Sequence, residues 1–158
     1  INNELSKIDH IKEYLFPIKF GNKKEDVIFN ISSKNKSINH LKNGGCLITF
    51  PSGEVATSKF IFDQPNERKW KPLIGSIIKK SEPKIIPVKF FGQNSKLFQF
   101  VGFFNNNLRR ALFIRELLNK KNETFEVQIE KSIENLNIKD ISNHEISDNL
   151  KSIVDKIN

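Results

Sequence analysis

Apolar residues recur three or four apart in some stretches of the chain and alternate in others, and that contrast predicts its elements. Near the front, Ile8, Ile11 and Leu15 have the spacing of a short helical segment, and Phe16-Pro17-Ile18-Lys19-Phe20 reads as a short strand interrupted by proline. Between Ser33 and Lys42 a polar run is broken by Ile38 and Leu41 at helical spacing, and Gly44-Gly45 supplies the left-handed stop that ends a helix. Cys46-Leu47-Ile48-Thr49-Phe50 follows as a short buried strand, with Cys46 as a small core residue. Pro72 stands where the first turn of a helix tolerates proline, with Leu73, Ile74, Ile77 and Ile78 on one face. Lys84 to Phe91 is a second strand, whose Pro87 argues for an edge or a bulge. Leu108 to Asn119 reads as a basic amphipathic helix and Phe125 to Ile129 as a last strand. Ser142-x-x-Glu145 is a capping box opening a helix with Ile146, Leu150, Ile153, Val154 and Ile157 on one face.

Strand, helix, strand is a crossover, and crossovers usually make parallel pairs. The fold class expected is therefore α/β, a mixed, largely parallel sheet with helices on its faces. No internal repeat and no linker-like tract interrupts the first 120 residues.

Ile, Leu, Val and Phe make up about a third of the 158 residues, enough for a core and well above the level at which chains stay disordered. Twenty-six Lys and Arg against eighteen Asp and Glu give +8. The partners this charge allows are an anionic membrane surface, a nucleic acid, or an acidic protein or phosphorylated substrate. A single cysteine permits no internal disulfide and no zinc spacing. No apolar run approaches the length of a transmembrane helix. There is no methionine, and Ile1 stands first, so the chain is expected to be a fragment or a processed product.

The stretch richest in candidate chemistry is GGCLITFPSGEVA, Gly44 to Ala56. Here Phe50-Pro51-Ser52-Gly53-Glu54 lies where strand ends in α/β sheets open onto a ligand crevice. Its N–H groups, hydroxyl and carboxylate suit a polar substrate; the plain alternative is a β-turn with a surface glutamate. Arg68, Lys69 and Lys71 flank Trp70 and suit a phosphate or lipid headgroup, with the indole at an interface, or else form a solvated loop pinned by a buried tryptophan. Phe98, Phe103 and Phe104 belong to an aromatic run that leads to Arg109 and Arg110, a pattern of membrane or acyl-chain contact, or of ordinary core. The three histidines have no partner spacing for a metal or a nucleophile, and no cofactor or metal is expected.

Three blocks in order carry a family resemblance: FPSGEV; KWKPLIGSIIKKSEPKIIPVKFFG, Lys69 to Gly92; and LFQFVGFF followed by LRRALFIRELLNKKNETFEVQIEKSI. Together they resemble the glycerolipid acyltransferases of the 1-acylglycerol-3-phosphate type, closest to the bacterial hemolysin-like and ornithine-lipid subgroup, over roughly residues 35 to 135. Ile86-Pro87-Val88 matches the family's VPV block. The family's His-x4-Asp block is missing: Leu15, Gly45 and Asn149 stand five positions after His10, His40 and His144. Ser52 holds the place of the commoner block's glutamate, which here follows the glycine as Glu54, and Leu73 replaces the glycine after Trp-x-Pro.

The resemblance implies a glycerol-3-phosphate acyltransferase-like fold without its N-terminal part, over residues 1 to 135; the residue pattern adds an amphipathic helix over 136 to 158. The resemblance also implies acyl transfer from acyl-carrier-protein or acyl-CoA to a hydroxyl of a lyso-lipid, at the cytoplasmic face of the cell membrane and peripheral to it. The acceptor would meet Phe50 to Glu54, Arg68, Lys69 and Lys71. With no histidine base, no catalytic residue is expected in this chain, and the 158 residues alone are expected to be inactive. The competing expectation is a non-catalytic basic module binding anionic lipid or nucleic acid through Trp70 and the phenylalanines. No known nucleic-acid motif is present, so nucleic acid is not the expected partner.

Overall fold

A computed structural model of the chain describes residues 9–21, 23–56, 66–104, 111–133 and 138–158, with backbone alone at 102–104. Five helices and a two-stranded antiparallel sheet make up these residues, a mixed α/β composition. At the front, a single 3₁₀ turn, Lys12–Tyr14, stands where a helical segment is predicted.

Glu25 and Asp26 in the first turn, and His40 and Lys42 in the last, complement the dipole of helix α1, Lys24–Lys42. It ends as predicted. Gly44 takes φ +80°, its N–H donates to Leu41 O and that of Gly45 to His40 O, a Schellman closure. The helix starts well before Ser33, because its buried face is made of Ser33, Ser37 and Ile38 rather than an apolar stripe, while Val27, Ile28 and Ile31 stay exposed.

Cys46 to Phe50 forms no strand, and the expectation of a buried strand is corrected. Cys46 is exposed and so is not a core residue, and Ile48 is 82% exposed. An apolar run becomes a strand only where a second strand pairs with it. Among the described residues none does.

Helix α2, Pro72–Ser81, starts on its proline and stops at Glu82, which adopts a left-handed conformation ahead of Pro83. With Gly75, Ile77 and Ile78 buried, it packs against helix α5, Asn143–Asp155, and against α1. At the crossing, a Cβ on Gly75 would lie 2.2 Å from Asn143 O, so only glycine lets the two backbones approach this closely. Ile78, Ile146 and Leu150 form the core, enclosed by Trp70, Ile74, Ile85, Ile133, Ile138 and Ile141. Each core side chain contributes about 2 kcal/mol by its burial.

Strand β1, Val88–Phe90, pairs antiparallel with β2, Val127–Ile129, with Val88 opposite Ile129 and Phe90 opposite Val127. Among the described residues the sheet is this antiparallel ribbon, and the crossover's first strand does not form. Helices α3, Lys96–Phe104, and α4, Phe113–Asn119, lie between the two strands in sequence. They are tied together by Glu116, which accepts from the N–H (2.8 Å) and hydroxyl of Ser95 at the head of α3. Lys89 reaches across from β1 to the carbonyls of Asp155 and Ile157, satisfying the C-terminal end of α5.

Candidate functional site

The Phe50 to Glu54 segment closes as a turn, with Gly53 N–H donating to Phe50 O at 3.0 Å and Gly53 at φ +70°. Proline second and glycine fourth are the residues such a turn favours. The turn is fastened to the loop before α2 by Lys71 N–H, which donates to Pro51 O at 3.0 Å. The two sequence blocks carrying the candidate polar contacts therefore sit side by side.

Between them lies Glu67, which the sequence reading passes over. One of its carboxylate oxygens accepts from Ser52 Oγ at 2.8 Å and the other from Trp70 Nε1 at 2.9 Å. Ser52 is 1% exposed, and its hydroxyl also lies 3.1 Å from Glu54 O; the shorter, charge-assisted bond to Glu67 dominates. Ser52 is therefore a fastening group. Its proton is committed to the carboxylate, and it presents nothing to a ligand.

Outside this buried fastening, Arg68 Nη1 pairs with Glu54 Oε2 at 3.0 Å. Lys69 and Lys71 are exposed, and Phe50 is exposed with its ring 6.3 Å from that of Phe90. Trp70 is half-buried against the Ile78, Ile146 and Leu150 core. Ser147 of α5 donates to Lys71 O at 3.1 Å, so the loop is braced from behind as well. The arrangement can hold an anionic or hydroxyl-bearing group. The guanidinium keeps donors beyond the one used on Glu54, the exposed Lys69 and Lys71 belong to the same short loop, and the backbone that carries them is fixed.

The aromatic run is split. Phe98 is fully buried, with its ring 5.4 Å from that of Phe113. The side chains of Phe103 and Phe104, and Arg109 and Arg110 entirely, lie outside the described residues. In α4 the acid faces inward while Ile114, Leu117 and Leu118 face outward, 64–73% exposed. His40 Nε2 lies 3.0 Å from Cys46 O and its ring 5.4 Å from that of Phe16, a packing role. Among the described residues no three His, Cys, Asp or Glu converge on a metal position, and no helix is long and apolar enough to cross a membrane. An open groove of about 490 Å³ between the ribbon and the end of α5 shares no lining residue with the turn.

Glu67 could have been singled out as the sole acid in the basic stretch ERKWK, three residues before the indole N–H it accepts from. Its bond to Ser52 spans 15 residues and has no signature in spacing. In comparisons with family models, with curated proteins and with solved structures, nothing matches this chain.

Proposed function

We propose that the chain is the acceptor-holding part of a lipid acyltransferase, with Arg68, Lys69 and Lys71 receiving the anionic or polar head of a lyso-lipid at the turn Phe50 to Glu54. The observation that carries this reading is the fastening of the turn to the basic loop, through Lys71 N–H to Pro51 O and Arg68 to Glu54. It unites the two blocks on which the acyltransferase resemblance places the acceptor. The reading includes an acyl-carrier-protein or acyl-CoA donor, a peripheral position on the cytoplasmic membrane face, and the family's largely parallel sheet, to which the ribbon would contribute an edge.

A hydroxyl attacking a thioester needs a general base, which a His-x4-Asp pair would supply. The chain has no such pair. Binding without turnover is therefore the property to measure on these 158 residues. Calorimetric titration with glycerol 3-phosphate is expected to show binding that weakens about tenfold or more in Arg68→Ala, the loss of one charge-assisted contact. Equal affinity in the two proteins, or acyl transfer by the chain on its own, would overturn the reading.

A further inference from the structure

The ribbon of β1 and β2 is built inside out. Lys89 and Gln128, opposite each other, occupy the half-buried side, where Lys89 reaches the end of α5. The other side carries Val88 opposite Ile129 and Phe90 opposite Val127. Ile86 and Phe125, each two residues before a strand residue on that side, continue it by the alternation of extended chain. Phe50 adds its ring against Phe90.

These seven side chains are 37–69% exposed. Taking about 200 Å² for a large side chain in the open, they present on the order of 700 Å² of apolar surface in one patch. Monomeric proteins seldom carry a patch that size, and a stable interface needs roughly 800 Å² from each partner. The face should therefore be covered in the working protein.

We infer that a second copy of this chain covers it, the two ribbons packing face to face about a two-fold axis. Every position on the face is uncharged and apolar, so the face is complementary to itself. Beside it the Lys120 ammonium lies 5.6 Å from the centre of the Phe125 ring and donates to Gln93 O at 2.9 Å. The net +8 of each chain opposes association only weakly, since screening at physiological salt confines the repulsion between exposed charges to about 8 Å. Two twisted ribbons stack with their side chains interdigitated at about 10 Å, as sheets in sandwiches do. The inference does not depend on the acyl-transfer reading, whose cationic groups Arg68, Lys69 and Lys71 lie outside this face and which shares only Phe50 of the turn with it.

The test is sedimentation equilibrium of the full 158-residue chain across a range of concentrations. The expected species is twice the chain mass of 18.3 kDa. Phe90→Lys, which sets two ammonium groups into the shared face, is expected to sediment at the single-chain mass with an unchanged circular dichroism spectrum. Ile114→Lys, at a still more exposed apolar residue but on α4, should remain dimeric. A single-chain mass for the wild type at every concentration overturns the inference. So does a dimer that survives Phe90→Lys, one that is lost in Ile114→Lys instead, or a wild type that stays single and partitions onto neutral or anionic vesicles through Phe90.

Discussion

Gly75 carries more of the packing than any apolar residue of α2, because it sets how closely α2 and α5 approach. In an open helix, Gly→Ala stabilises by up to about 1 kcal/mol through propensity. Here a methyl group would stand 2.2 Å from a main-chain oxygen of Asn143, and a backbone cannot give way as a flexible side chain can. The steric term wins. Gly75→Ala is expected to destabilise by about 2 kcal/mol, the usual penalty for overpacking a close contact. For a chain of this length that lowers Tm by roughly 6 °C, measurable by thermal denaturation. A second single residue, Glu67, shows the same economy in polar form: one carboxylate satisfies both a buried hydroxyl and an indole N–H, and so joins the turn to the loop.

Among the elements, α5 shows how local chemistry starts a helix and makes its start sensitive to pH. Ser142 N–H donates to Glu145 Oε2 at 2.6 Å, and Glu145 N–H donates to Ser142 Oγ at 3.2 Å. The backbone N–H and then the hydroxyl of Ser142, with Lys79 nearby, hold the Glu145 carboxyl below its usual 4.5. A carboxyl with a depressed folded-state pKa adds stability that is present above the unfolded value and is lost as pH falls through the folded one. Urea midpoints are therefore expected to fall below pH 4.5 by more in the wild type than in Glu145→Gln, which has no charge to lose. Equal acid sensitivity in both would remove the cap from the account. Elements with this kind of local signature were legible in the sequence: the capping box of α5, Pro72 at the head of α2, and Gly44 at the end of α1. Cys46 to Phe50 was not, because an apolar pentapeptide becomes a strand only if another strand lies beside it. The antiparallel register of the ribbon was hidden for the same reason: β1 and β2 are joined by the turn chemistry of neither, with two helices between them. Within the candidate site, the residue types were readable and their division of labour was not, since the burial of Ser52 depends on Glu67 from a separate loop.

At the scale of the whole molecule, the buried core among the described residues is small and their apolar exposure is large. Ile78, Ile146 and Leu150 hold α2 against α5, while the ribbon turns six valine, isoleucine and phenylalanine side chains outward. A three-residue, two-stranded ribbon is marginal by itself in water, so covering its outer face should add directly to the stability of the fold. If a second copy provides the cover, association is linked to folding, and mass action makes stability depend on protein concentration. Two chains unfold from each dimer, so a tenfold rise in concentration adds about 0.7 kcal/mol per chain. For a protein of this length the corresponding rise in Tm is roughly 2 °C. Calorimetric scans of the wild type at increasing concentration are expected to climb by that amount per decade, and those of Phe90→Lys to stay level. The variant should also melt at the temperature the wild type approaches on dilution, because Phe90 is 58% exposed in the single chain and its replacement removes little internal packing. A wild-type Tm independent of concentration would mean that the ribbon is stable uncovered, and that the brace from Lys89 to the end of α5 suffices to hold it.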